Sequence, residues 1–321
     1  MTVTLADIAK VEKSPFAKAV ILDLLRQSDL LKLVSINSVP GLRMTGRRWQ
    51  VLPSSQTRKI NGGYTQSDGH TEEVNEGLFV YGGEVFVDRI LQKAAGSLTE
   101  APETTQMKMM VEALSYQINT DFINGDHVVN PEGFEGLRVR VANGLARQRV
   151  SLATAGDSLK VLASDANEQT FLDGLHEIVH KTGATALFMN EHTFLQFGAV
   201  LRRTQLYNMV KDQGYDTVWT MFGDAKLVDV GVQGDQATEI ITSTEDPGDG
   251  GNDATSIYAV RFGSDDGLRM LQLEGTSPKP YKLGEDAWNL GNTMRIDWAI
   301  GMENVGKYAV ARMSGFKMAA I

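Results

Sequence analysis

The chain contains no cysteine among its 321 residues. Disulfides, thiolate metal ligands and cysteine nucleophiles are therefore excluded. Long apolar runs are also missing. The longest, 19–25, is interrupted by Asp23 and falls far short of the roughly 18 residues a membrane helix needs. Basic charge is in deficit, with 31 Lys and Arg against 40 Asp and Glu and a formal net charge of −9. An acidic chain without a dense basic patch is a poor sequence-reading nucleic-acid binder, although it can enclose nucleic acid without gripping it. The N-terminus lacks a signal-peptide core, so folding in a reducing cytoplasm is the expectation. There is no internal repeat, no G-x-S-x-G and no G-x-G-x-x-G. What remains is ordinary globular composition, 42% hydrophobic and 22% charged, on a chain long enough for about two domains.

The first forty residues read as an arm with a helix. Ser14-Pro15 is a start signal, with serine as N-cap and proline at the first helical position. Phe16, Val20, Ile21, Leu24 and Leu25 then recur at helical spacing, followed by Leu30, Leu31, Leu33 and Val34, until Pro40-Gly41 stops the segment. So apolar a face on an arm needs something to cover it.

Residues 43–77 are unusually polar. Only 7 of these 35 residues are apolar, half the chain's average share. Near the centre lies Asn61-Gly62-Gly63, a strong hairpin-turn signal. The segment is predicted to be a long two-stranded excursion folded at 61–63. A lone hairpin is marginal in water, and this one has too little apolar surface to hold its own shape.

Strand is expected over 78–91. A long helix is expected from about Glu103 to Ile123, with Met107, Met110, Val111, Leu114, Ile118 and Phe122 on one stripe and Gly125 closing it. The methionines are read as core packing. Helices follow at 168–181, closed by Gly183, and after the cap Asn190. Strands are expected at 185–189, 226–230, 256–262, 268–273, 295–302 and 307–313. Residues 245–253 form an acidic, glycine-rich loop.

Four patterns invite chemistry. His176-Glu177-Ile178-Val179-His180 is a literal H-E-x-x-H on a predicted helix, the zinc-hydrolase arrangement in which two histidines ligate and the glutamate acts as base. A third ligand would fall at Ala186, which cannot ligate, so packing on the polar shoulder of the helix is the preferred reading. Gly301 to Tyr308 nearly matches a phosphate-binding loop. However, Tyr308 stands where the motif needs Ser or Thr, and a strand rather than a helix follows. The 245–253 loop lacks the spacing of a calcium loop. Arg47-Arg48, Arg58-Lys59 and Arg202-Arg203 are basic pairs, read as partners for carboxylates of another subunit or as solvated charge.

The order of these segments resembles the major capsid proteins of tailed bacteriophages, with the Hong Kong 97-type fold. The resemblance rests on the polar hairpin at 43–77, the strand Phe79 to Ile90, and the long helix ending in Asp121-Phe122-Ile123-Asn124-Gly125-Asp126. It continues through Gly133-Phe134-Glu135-Gly136-Leu137, Ala186-Leu187-Phe188-Met189-Asn190, and a closing strand pair that includes Arg295 to Gly301. It implies an α+β fold with an N-terminal arm (1–43), an extension loop (44–78), a peripheral domain with a spine helix (79–164), an axial domain (165–284) and returning peripheral strands (285–321). It further implies self-assembly as hexamers and pentamers into an icosahedral head around double-stranded DNA, without catalysis, metal, cofactor or membrane. The implied partners are a portal protein, a separate scaffolding protein and a decoration or cement protein. The implied place is the virion, assembled in the host cytoplasm. The arm helix and the hairpin would pack on neighbouring copies. Inter-subunit contact then falls to Phe16 and Leu24 in the arm, and to Arg47, Arg48, Trp49, Arg58, Lys59, Asn61, Gly62 and Tyr64 in the hairpin. In some members a lysine near the hairpin tip cross-links to a neighbour's asparagine. Lys59 and Asn304 occupy comparable places here, but no glutamate is located to promote the reaction. Two alternatives remain: an encapsulin-like compartment shell, and a zinc-dependent hydrolase using His176, Glu177 and His180.

Overall fold

The computed structural model describes residues 3–94, 101–204, 208–211, 217–248, 251, 253–285 and 291–318. The chain opens with β1 (Val3–Thr4), α1 (Leu5–Val11), α2 (Pro15–Gln27), α3 (Asp29–Leu33) and β2 (Ser35–Val39). The strands β3 (Arg43–Val51) and β4 (His70–Gly77) precede β5 (Phe79–Asp88), α4 (Arg89–Ala94) and α5 (Pro102–Asn124). Then come α6 (Leu137–Ala142), β6 (Arg149–Ser151), β7 (Leu159–Lys160), α7 (Asp165–Thr182), β8 (Ala186–Met189) and α8 (Glu191–Arg203). The last third is strand: β9 (Asn208–Lys211), β10 (Val218–Phe222), β11 (Ala225–Asp229), β12 (Thr255–Val260), β13 (Leu268–Leu273), β14 (Lys279–Glu285), β15 (Gly291–Asn304) and β16 (Val310–Lys317).

Helix signals read from the sequence act where expected. Ser14 accepts a hydrogen bond from the Ala17 amide at 3.4 Å, with Pro15 beginning α2. Asn190 caps α8, and Gly183 ends α7 in the left-handed conformation at φ +62°; α7 itself begins three residues before the expected 168, behind the cap Ser164. The 23-residue α5 is about 35 Å long and buries Met107, Val111, Leu114, Ile118 and Phe122 along one stripe.

These elements make two sheets and a separate ribbon. Six strands run β1-β2-β13-β15-β14, with β5 on the other side of β15. Eight strands run β6-β16-β12-β8-β11-β10-β9, with β7 also on β16. Among the described residues, strands β3 and β4 pair only with each other. The short apolar strands of the larger sheet are covered on both faces, as the alternation of their side chains requires. Leu187, Met189, Ile257 and Ala259 face α7 and α8, beside Phe171, Ile178 and Phe197. Phe188, Tyr258 and Val260 face the other way, into a core shared with α5 and the arm.

The arm departs from expectation. Its apolar face is covered by its own chain, not by a neighbour. Val20, Ile21, Leu24 and Leu25 lie in one core with Met107, Val111, Leu114 and Ile118 of α5. Leu24, expected at a subunit contact, is 0% exposed. Ser28 caps α3 and also donates its hydroxyl to Asn119 of α5 at 2.7 Å, pinning the arm to the long helix. The arm then enters the six-stranded sheet through β2, parallel to β13. The spacing of Val20, Ile21, Leu24, Leu25, Leu30 and Leu31 was legible as helix, but nothing local shows that α5 has a spare face.

The expected boundaries also cross the observed sheets. Strands β13 and β14, placed by the resemblance in the axial segment, belong to the six-stranded sheet, whereas β6, β7 and β16 belong to the eight-stranded one. The two closing strands do not pair together. β15 joins β5, β13 and β14, and β16 joins β12, β6 and β7. Gly306 lies in the link between them, where a Cβ would stand 1.8 Å from the Asp266 carbonyl oxygen. That close approach is open only to glycine.

Candidate assembly surfaces

The ribbon of β3 and β4 is antiparallel, from Arg43 opposite Gly77 to Val51 opposite His70. Arg48 faces Glu72 and donates to it from Nε at 3.0 Å; Thr45 donates to Asn75 at 2.7 Å. The Arg48 guanidinium holds the Glu72 carboxyl below the usual carboxylate range. Such exposed pairs contribute about 0–1 kcal/mol and cannot stabilise the ribbon alone. Beyond Val51 the ladder ends, and 52–69 is an exposed irregular tip. The tip turns at Lys59 to Gly62, where the Gly62 amide donates to the Lys59 carbonyl at 2.9 Å. The central residues are thus Ile60 and Asn61, one position earlier than the Asn-Gly signal suggests. Only Asn61 is left-handed, at φ +65°, a conformation asparagine tolerates better than most residues. The Arg58 guanidinium lies 5.4 Å from the Tyr64 ring and donates to the Gly62 carbonyl at 3.2 Å. Trp49, Leu52, Ile60 and Tyr64 all remain exposed, Trp49 at 75%.

The root of the ribbon is firmly held. Arg140, on α6, donates to both carboxylate oxygens of Glu76 at 2.6 and 2.9 Å. It also donates to the Met302 carbonyl at 2.8 Å and the Glu135 carbonyl at 2.9 Å. This side chain therefore ties β4, β15 and the loop before α6 together, nearly out of solvent. On the facing strand a Cβ at Gly46 would lie 2.9 Å from Oε1 of Glu303, which is itself buried and paired with Arg269 at 2.7 Å. Met44 packs against the small cluster of Val39, Leu78 and Leu271. An open cleft of 780 Å³ runs beneath the root, lined among others by Arg48, Glu72, His127, Arg140 and Asn304. Sequence reasoning missed Arg140; its only signal was an arginine within the apolar run Leu137-Arg138-Val139-Arg140-Val141.

The glycine-rich motif after α5 has a steric cause. Gly136 donates its amide to the Gly125 carbonyl at 2.8 Å where the two segments cross. A Cβ on Gly125 would stand 2.4 Å from the carbonyl oxygens of Asp121 and Phe134, and one on Gly136 2.6 Å from the Asp121 carbonyl oxygen. Phe122, Ile123, Phe134 and Leu137 are buried around this crossing. Asp121 accepts from the Tyr81 hydroxyl at 2.8 Å, and burial pushes the Tyr81 hydroxyl's pKa up. Asn124 donates to the Ile240 carbonyl at 2.6 Å, joining the end of α5 to the segment after β11.

The remaining sequence candidates fall in varied places. Phe16 is about half exposed at the start of α2. Arg47 is exposed beside Arg48, whereas Arg48 and Arg203 meet carboxylates of their own chain, Glu72 and Glu168. His176, Glu177 and His180 are all exposed; the His176 ring lies 4.7 Å from Phe222 and Glu177 pairs with Lys181. Among the described residues no group of three or more His, Asp or Glu side chains is placed to hold a metal ion. In the acidic loop, Glu245 pairs with Arg312 at 2.8 Å and Asp253 pairs with Lys317. Asn304 ends β15 rather than lying in a free turn.

The chain's similarities agree with this architecture. Residues 18–164 match the family model described as major capsid protein GP7. No curated protein matches the sequence. The fold is similar to the SrpI encapsulin of Synechococcus elongatus PCC 7942, with TM-score 0.62 and 13% identity over 90% of this chain and 88% of that one. It is also similar to the capsid of the native GTA particle, with TM-score 0.60 and 13% identity over 92% and 90% of the two chains. For Microbacterium phage Oxtober96 the TM-score is 0.58, with 12% identity over 89% and 90%. The family match begins within the arm and takes in the ribbon and the long helix, just under half of the chain, and the fold similarity spans nearly all of it; the chain thus has the Hong Kong 97-type fold, and its residues 18–164 are similar to a major capsid protein.

Proposed function

We propose that this chain is a tailed-phage major capsid protein that assembles as hexamers and pentamers into an icosahedral head enclosing double-stranded DNA, and that it has no catalytic role. The observation that carries the reading is the ribbon: anchored at its root by Arg140, yet presenting Trp49, Leu52, Ile60 and Tyr64 to solvent. A polar two-stranded ribbon with a few exposed apolar side chains gains stability only when another surface covers them. Phe16, Arg47, Arg58, Lys59, Asn61 and Gly62 accompany those side chains as contact residues. The acidic balance suits a container, because like charge keeps packaged DNA off the wall. A portal protein, a separate scaffolding protein and a decoration protein are its proposed partners, with assembly in the host cytoplasm and residence in the virion. An encapsulin-like compartment shares the fold, but the phage family match over 18–164 favours the viral shell. The test is deletion of 50–72. It should leave a soluble, folded subunit that forms no closed particles under negative stain; normal particles from that deletion would refute the role given to the ribbon.

A further inference from the structure

The tip of the ribbon has a counterpart on the same molecule that it cannot touch. Loop 126–135 follows α5 and displays Val128 and Val129 at 88% and 81% exposure. At the ribbon's tip Ile60 is 93% exposed. The two sites carry opposite charge. The loop contains Asp126, Glu132 and Glu135 with no lysine or arginine, while the tip segment 52–69 contains Arg58 and Lys59 against Asp68 alone.

The loop is preorganised. Asp126 accepts from the Val128 amide through its carboxylate at 2.8 Å and from the Asn130 amide through its carbonyl at 2.8 Å. The side chain of Asn130 accepts from the Glu132 amide at 3.2 Å, and Nδ1 of His127 lies 3.1 Å from the Gly133 carbonyl. Two β-branched side chains are thus held outward by a backbone that has little left to order on binding, the condition under which a small apolar contact is most favourable.

Within one chain these surfaces stay apart. The His127 ring packs 5.4 Å from Phe79, immediately after the ribbon's root. The nine residues of β3 carry the tip about 30 Å away from that root. We infer that loop 126–135 receives the ribbon tip of a second copy, with Ile60 and Tyr64 against Val128 and Val129 and with Arg58 and Lys59 facing Asp126 and Glu132. The inference rests on the shell reading above and names the surface that covers the tip. The contact is head-to-tail, joining two different patches, so it propagates from copy to copy and closes into a ring when the rotation permits.

Because the chain lacks cysteine, thiols can be placed at will. Particles of the Lys59→Cys, Val128→Cys double variant, oxidised and then dissolved in denaturant without reductant, should yield covalent species larger than dimers. Each single variant links at most two chains. Double-variant particles that yield nothing beyond dimers would overturn the inference while leaving the shell reading intact. A parent chain that forms no particles would instead sink the shell reading. Should the double variant fail to assemble, a charge exchange decides. Lys59→Glu and Glu132→Lys should each lower particle yield several-fold and together restore it; a combined loss equal to the product of the single losses overturns the pairing.

Discussion

The arm and the ribbon both look incomplete in the sequence, and they end differently. The arm helix α2 presents a regular apolar stripe, and α5 presents a matching one, so Leu24 and Ile21 are buried within the chain. The ribbon has scattered apolar residues on a polar background, and no described residue covers them, so Trp49 and Ile60 stay in water. An uncovered apolar residue thus has two fates. A helical stripe finds a partner stripe by collapse, because burial is favourable wherever two such faces meet. A ribbon tip held at arm's length can only wait for another molecule.

This contrast can be broken at several points, from the strongest expected effect downward. Arg140→Leu leaves Glu76 nearly buried without its bidentate partner, and should cost about 3–5 kcal/mol of stability. Hydrogen exchange should show faster exchange along β4 before the rest of the fold opens; unchanged protection there would mean that the root is held by other contacts. Leu24→Ala opens a cavity in the core between α2 and α5, with an expected loss of about 2–5 kcal/mol in denaturant unfolding of the isolated subunit. A loss that appeared only in assembled particles would return the arm to its expected role on a neighbour. Trp49→Ala should do the reverse: subunit stability within about 0.5 kcal/mol of the parent, because the ring is exposed, but fewer particles. A large subunit destabilisation would show that the ribbon is supported by its own chain after all.

Much was legible from local pattern. The caps Ser14 and Asn190, the closing Gly183 and the stripe on α5 are short-range chemistry, so they could be read without a partner in view. The ribbon was legible through its poverty of apolar residues and its Asn-Gly turn signal, although the turn itself sits one residue earlier. The closing strands were legible as strands, but their separation into two sheets was not, because alternation records which faces are buried and says nothing about which edge is paired. Arg140 escaped notice for a related reason: its partners Glu76 and Met302 are distant in sequence, and one of two arginines in a short helix reads equally well as surface charge.

The order of residues by itself determined α2, α5, α7 and α8, the strand segments β5, β8, β11 to β13, β15 and β16, and the presence of a polar ribbon, since each depends on patterns within a few positions. Only the tertiary structure decided that the arm is folded into the body, that the last two strands part company, and that the ribbon is clamped at its root. Those outcomes depend on which distant surfaces fit together, and shape complementarity between segments is a property of the assembled core, not of any stretch of chain.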